Sequence, residues 1–240
     1  MRQTHLQQLK TIIITGATSG IGKATALLAA SHGHQIVLAA RKEADLQATA
    51  EMIQQAGGQA IFKPTDVSKK ADVQALIDFA LAKYGRIDVL DLNAGVMSFA
   101  PMNEIRVDEW EKMIDINVKG VLYGLAAAIP VMEKQKGGQI IATDSTAGHQ
   151  VGQNNTVYAS TKFSVRAIMA GVRAEEASSH IRTMMVSPAF VNTGFFEDQR
   201  NANLEQVAKL RPEDIAASVV FAIEQPDNVD INKIVLRPTL

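Results

Sequence analysis

Cysteine is absent from all 240 residues. That excludes disulfides, thiolate nucleophiles and zinc–thiolate centres, and it fits a reducing compartment, so a cytoplasmic protein is expected. An excess of one charge is also missing: 24 Lys and Arg stand against 25 Asp and Glu, a net charge of −1. Nothing in that balance favours a nucleic-acid or membrane surface as partner. The first ten residues are polar and hold no apolar signal core. The longest apolar run, around residues 121–132, contains Gly124 and Pro130 and is too short to span a bilayer. The five His are scattered, none in the paired spacing that puts two ligands on one helix face, so no metal is expected.

What the chain does have is 47% apolar residues in a regular rhythm. Short β-branched runs alternate with helix-forming stretches from end to end, without linker, repeat or low-complexity segment. Strands are expected at 11–15, 35–40, 59–63, 86–92, 139–143, 180–186 and 231–236. Helices are expected at 23–30, 42–55, 69–84, 107–131, from Tyr158 onward and from Arg211 onward. Strand–helix alternation of this kind builds one doubly wound parallel sheet, here a single domain over residues 1–240.

The chemistry-bearing residues fall where such strands end. The first strand runs into TGATSGIG, residues 15–22, and then into a helix. Glycines allow a tight turn and close approach to a pyrophosphate, and the helix N-terminus offers free N–H groups. The second strand ends at Ala40, where a carboxylate for a ribose 2′-hydroxyl is the usual device; Arg41 and Lys42 follow instead. A guanidinium binds a 2′-phosphate in a bidentate fashion, which favours NADP(H), with NAD(H) as second choice. Asp66, after the third strand, suits an adenine amino group or a helix N-cap equally well. Asn117 stands between Ile116 and Val118 within a helical pattern and needs hydrogen-bond partners, in the core or in a polar relay. Tyr158 and Lys162 lie four residues apart, one helical turn, on one face. A cation beside the phenol is expected to lower its pKa; a fall of ~3 units needs roughly 4 kcal/mol.

Together these motifs resemble the short-chain dehydrogenase/reductase family, in its compact branch. The match rests on TGATSGIG at 15–22, Asp66, NAG at 93–95, Asn117, Ser145, YASTK at 158–162 and PAFVNT at 188–193, in that order and over nearly the whole chain. The resemblance implies a Rossmann-like sheet and a tetrad of Asn117, Ser145, Tyr158 and Lys162. Asn117 would support a proton relay, Ser145 would bond the substrate oxygen, Tyr158 would be the acid or base, and Lys162 would bind the nicotinamide ribose. It places Gly16, Thr18, Ser19, Gly20, Ile21 and Gly22 along the pyrophosphate and ribose. Arg41 meets the 2′-phosphate, Asp66 and Val67 the adenine, and Asn93, Ala94 and Gly95 the middle of the cofactor, with Pro188, Val191 and Thr193 at the carboxamide. Met97, His149, Phe190 and Phe195 join Ser145 and Tyr158 on the substrate side, with residues 192–203 as a lid.

The implied activity is hydride transfer between NADP(H) and a mainly apolar ketone, aldehyde or alcohol, in a homo-oligomer, tetramer or dimer, built through helices 107–132 and 156–177. A non-catalytic NADPH-sensing regulator is the alternative. The glycine spacing and the lack of residues for a second domain disfavour the extended branch of epimerases and dehydratases. Three residues depart from the family pattern: Leu92 for a second Asn, Ala189 for Gly after Pro188, and Asp144 for Ser before Ser145.

Overall fold

The computed structural model describes residues 9–193 and 208–239. Seven parallel strands form one sheet: β1 (Thr11–Thr15), β2 (Gln35–Ala40), β3 (Gln59–Pro64), β4 (Val89–Leu92), β5 (Gly138–Thr143), β6 (Ile181–Pro188) and β7 (Lys233–Leu236). Their order is β3-β2-β1-β4-β5-β6-β7. The chain winds outward from β1 in one direction and then starts again on its other side at β4. This reversal opens a crevice at the C-terminal ends of β1 and β4.

The helices are α1 (Gly20–Ser31), α2 (Glu43–Gln55), α3 (Lys70–Tyr84), α4 (Val107–Ile114), α5 (Gly120–Gln135), α6 (Thr156–Glu175) and α7 (Pro212–Ile223). Strand alternation decides which side each core residue serves. On β1, Ile12 and Ile14 pack with α1, α2 and α7, whereas Ile13 packs with α3, α5 and α6. Ile36 and Leu38 against Val37 and Ala39 repeat the division on β2. Both faces are covered, which is why these strands read as continuous apolar runs rather than alternating ones.

Helix 107–131 is more than the single helix the pattern suggests. It runs over Val107–Gln135, with a π-helical turn at Asp115–Lys119 between α4 and α5. By length and composition this run could cross a membrane, which corrects the reading that every apolar stretch is too short. Here its apolar face, including Val121, Leu125, Ala128 and Met132, is buried in the core. β4 starts three residues later than its sequence suggests. Asp88 ends up as an acceptor for the Thr11 N–H at 2.8 Å.

Two of the three departures find local explanations. Leu92 packs against Gly124, where an added Cβ would lie 2.4 Å from Leu92 Cδ2, so the missing side chain on α5 makes room for leucine. Ala189 is not among the residues with positive φ, so the position asks nothing that only glycine supplies.

Candidate active site

A crevice of about 490 Å³ lies along the C-terminal ends of the strands, between the start of α1 and the start of α6. At one end is the glycine-rich turn. Gly16 and Gly20 hold φ of +68° and +51°, which strain any side chain. A Cβ at Gly16 would sit 3.0 Å from Ala94 Cα, and one at Gly22 would sit 2.4 Å from Asn93 Nδ2. The turn after β1 and the turn after β4 are therefore in van der Waals contact. Asn93 Nδ2 donates to Thr15 O at 2.8 Å, and Ala94 N donates to Thr15 Oγ1 at 3.0 Å. α1 begins at Gly20 without a side-chain cap, so its first N–H groups remain available beside the crevice.

Further along, Arg41 is exposed and lines the crevice with Lys42, Asp45, Asp66 and Val67. The two readings of Asp66 separate here. α3 takes Lys69 as its N-cap, and Asp66 Oδ1 instead accepts from Ser68 Oγ at 2.7 Å and Ser68 N at 3.1 Å. These bonds hold the carboxyl below its usual range, with Lys69 and Arg41 adding to the effect.

At the other end stand Ser145, Tyr158 and Lys162. Ser145 caps the short helical turn Thr146–Gly148 through its Oγ, which accepts from Ala147 N at 3.1 Å. Tyr158 lies in the first turn of α6, with the Ser145 hydroxyl beside its phenol. Lys162, 5% exposed, donates from Nζ to Thr143 O at 2.7 Å and lies 5.7 Å from the Tyr158 ring centre. Asn117 sits in the π-helical turn and is buried. Its Oδ1 accepts from Val96 N at 2.8 Å, and its Nδ2 donates to Val96 O at 2.8 Å and to Thr161 Oγ1 at 3.1 Å. Thr161 in turn donates to Tyr158 O at 2.7 Å. Asn117 thus links the loop after β4 to the helix that carries Tyr158, and its hydrogen-bonding needs are met in the core.

Burial works against the acidification of Tyr158 expected from Lys162 together with a cationic cofactor. Burial pushes the phenol up to about 12; Ser145 works against this and the Asp144 charge adds to it. Burial also brings Lys162 down to about 8, with Asp144 opposing. Spacing in the sequence places a cation near the phenol but says nothing of desolvation, which dominates both groups.

A model of the short chain dehydrogenase family matches residues 10–204. The chain belongs to the short-chain dehydrogenase family. An uncharacterized oxidoreductase of Listeria monocytogenes is 44% identical over 96% of both chains. Among solved structures, an alcohol dehydrogenase from the archaeon Thermococcus sibiricus, complexed with 5-hydroxy-NADP, is similar with a TM-score of 0.88. It is 28% identical and covers 97% of this chain and all of its own. A family member from Burkholderia phymatum in complex with NAD has a TM-score of 0.88 and 29% identity over 95% of this chain and 89% of its own.

Within this family member, most residues singled out by sequence do line the crevice: Gly16, Thr18, Ser19, Gly20 and Ile21, then Asn93, Ala94 and Gly95, then Met97, Pro188, Phe190, Val191 and Thr193. Gly22 and Asn117 stand behind it, as packing and support. His149 is not part of the lining. Its ring turns away to Ser187 Oγ at 3.2 Å and Asp144 Oδ2 at 3.3 Å. Gln150 and Gly152 line that wall instead. Phe195 and most of the 192–203 segment fall outside the described residues. Asp144, one of the three departures from the family pattern, lines the crevice, and so do Phe99 and Ile116, which had not been expected there. Ile116 lies in the π-helical turn, whose phase a 3.6-residue period does not give.

Proposed function

We propose that this short-chain dehydrogenase uses NADP(H) to interconvert an apolar ketone or aldehyde and the corresponding alcohol, with Asn117, Ser145, Tyr158 and Lys162 as its working set. The observation that carries this reading is the meeting of Ser145, Tyr158 and Lys162 on one wall of a crevice whose other end is a glycine cradle. The volume lies within the roughly 300–1,000 Å³ of small-molecule sites. The cradle fits a pyrophosphate, since the positive φ of Gly16 and Gly20 lets the backbone turn tightly there and α1 begins beside it without a side-chain cap.

A dinucleotide would be held by Gly16, Ser19, Gly20 and Ile21 at the pyrophosphate, by Asp66 and Val67 at the adenine, and by Val191 and Thr193 at the carboxamide. Arg41 supports the 2′-phosphate assignment; Asp45 at the same end opposes it, and Lys42 restores the balance. When bound, the nicotinamide supplies or takes the hydride. The chain does the rest. Ser145 Oγ donates to the substrate oxygen and fixes the carbonyl. Tyr158 delivers its proton to that oxygen in reduction and withdraws it in oxidation. The Lys162 ammonium stabilises the phenolate left behind. Asn117 holds the π-helical turn and, through Thr161, the backbone at Tyr158. Val96, Met97, Phe99, Ile116 and Phe190 give the substrate end an apolar character and keep water from the reacting carbonyl. The outward sides of α5 and α6 expose Leu122 and Phe163, which supports a homo-oligomer built through these helices.

The direct test is a screen of ketones, aldehydes and alcohols with NADPH and NADP, and with NADH and NAD. Turnover of apolar carbonyls with NADPH is expected. Cofactor binding without turnover of any compound would overturn the reading in favour of a cofactor-sensing role.

A further inference from the structure

One wall of the crevice carries a hydrogen-bond donor that the hydride-transfer reading leaves unused. Between Ser145 and Tyr158 the chain passes along this wall, and Gln150, Gly152 and Asn155 line the crevice there. Asn155 is half-buried and stands directly before α6, three residues from Tyr158. Asn is a favoured N-cap, yet this side chain makes no cap to α6. It turns back instead, and its Oδ1 accepts from Gly152 N at 3.0 Å. That bond decides which end of the carboxamide is which, because an N–H is met by the oxygen and not by the amino group. Nδ2 is left with two protons to donate and no acceptor among the described residues. The loop that carries it is tied on several sides. Arg166 Nη1 donates to Gly148 O, Ala100 N donates to Asn154 O at 2.8 Å, and Ala159 N donates to Asn155 O at 2.7 Å. The donor is therefore held in place before a substrate arrives. Val96, Met97, Phe99 and Ile116, at the same end of the crevice, offer no polar side chain.

We propose that Asn155 is a specificity-determining residue whose Nδ2 binds a second oxygen of the substrate, so that the preferred substrates are ketones carrying an ester or a second carbonyl on a short carbon chain. The inference rests on the dehydrogenase reading of Ser145 and Tyr158. About one helical turn separates Asn155 from Tyr158, roughly 5–6 Å between Cβ atoms, so one small molecule spans both. Its reacting carbonyl lies on Ser145 and Tyr158, and its second oxygen on Asn155. A simple alkanone in the same place strips water from Nδ2 and returns no acceptor, which penalises it. The apolar side chains take the carbon chain. Gln150 is exposed and keeps its water, so it discriminates less.

The test compares kcat/KM with NADPH within two pairs of ketones of equal chain length: ethyl 3-oxobutanoate against heptan-2-one, and hexane-2,5-dione against hexan-2-one. The ratio within a pair cancels any effect on Tyr158 or on cofactor binding. Asn155→Asp keeps an acceptor for Gly152 N and removes the donor, so the loop persists; Asn155→Ala removes both. In at least one pair both variants should lower the ratio about tenfold, the loss of one hydrogen bond. The pair with the larger fall gives the spacing of the two oxygens. Gln150→Ala should lower the same ratio less than about twofold. Unchanged ratios in both Asn155 variants overturn the proposal, as does a fall in Gln150→Ala equal to that in Asn155→Asp. If no ketone is turned over, the dehydrogenase reading fails, and calorimetric binding of the same compounds to the NADPH complex decides for Asn155. A preference for the ester or dione that Asn155→Asp abolishes supports the donor assignment; equal binding within each pair overturns it.

Discussion

An imidazole, a carboxylate and an ammonium meet at both edges of this sheet. At the C-terminal edge they are His149, Asp144 and Lys162. At the N-terminal edge they are His34, Glu224 and Lys10, with His32 as a second imidazole. Burial lowers both His34 and Lys10, as it lowers His149 and Lys162. The difference lies in what the groups hold. At the N-terminal edge Lys10 N donates to His34 Nδ1 at 3.2 Å, Lys10 Nζ donates to Ile223 O at 2.6 Å, and His32 Nδ1 lies 2.5 Å from Glu224. These bonds fasten the end of α7 to the starts of β1 and β2. At the C-terminal edge Asp144 and Lys162 border a crevice together with Tyr158, and His149 stands behind them against Ser187. Residue chemistry alone does not mark a site; its place relative to the strand reversal does.

If this contrast is right, substitutions at the two edges should separate activity from stability. The largest effect is expected from Tyr158→Phe. Carbonyl reduction should fall about a thousandfold, while NADPH binding, measured by fluorescence titration, persists. Near-full activity would remove the phenol from the mechanism. Arg41→Ala comes next, with NADPH affinity falling on the order of tenfold and NADH affinity little changed; equal losses would sink the 2′-phosphate assignment. Glu224→Gln, at the other edge, should cost about 1 kcal/mol in denaturant unfolding and leave turnover per folded molecule intact. A loss of turnover there would erase the contrast.

The smallest effect concerns pH. Burial holds His34 below its ordinary value of 6.5, so the unfolded chain binds the proton first as pH falls. Its contribution is complete above 6.5 and is lost as pH drops below that value toward the lower value of the folded state. Glu224 opposes the shift, and Lys10 and His32 reinforce it. His34→Gln should flatten the fall in Tm between pH 7 and pH 5 relative to the parent chain. An unchanged slope would assign the acid sensitivity to other groups.

The strand pattern made the sheet legible because apolar β-branched runs were buried on both faces, as at Ile12–Ile14 and Ile36–Leu38. The glycine turn was legible because its spacing encodes backbone shape, which the φ values of Gly16 and Gly20 express. Side-chain surroundings were not. His149 lies in a polar loop by sequence, yet its ring meets a serine 38 residues away on β6. Tyr158 and Lys162 were correctly placed side by side, but their acidities depend on solvent exclusion, which spacing does not carry. The extra residue in the π-helical turn leaves no mark in composition, so the inward swing of Ile116 had no signal to announce it.

That turn has a consequence of its own. Residues 115–119 set the angular phase between the two halves of the Val107–Gln135 run. Deleting one residue there would rotate everything after it by about 100° about the helix axis. Gly124 would then leave Leu92, and the apolar side of α5 would turn off the sheet. Asn117 would lose its register with Val96 and Thr161 in the same stroke. The turn acts as an indexing pin between the reaction end of the crevice and the core, and its length is as fixed as any side chain in the site.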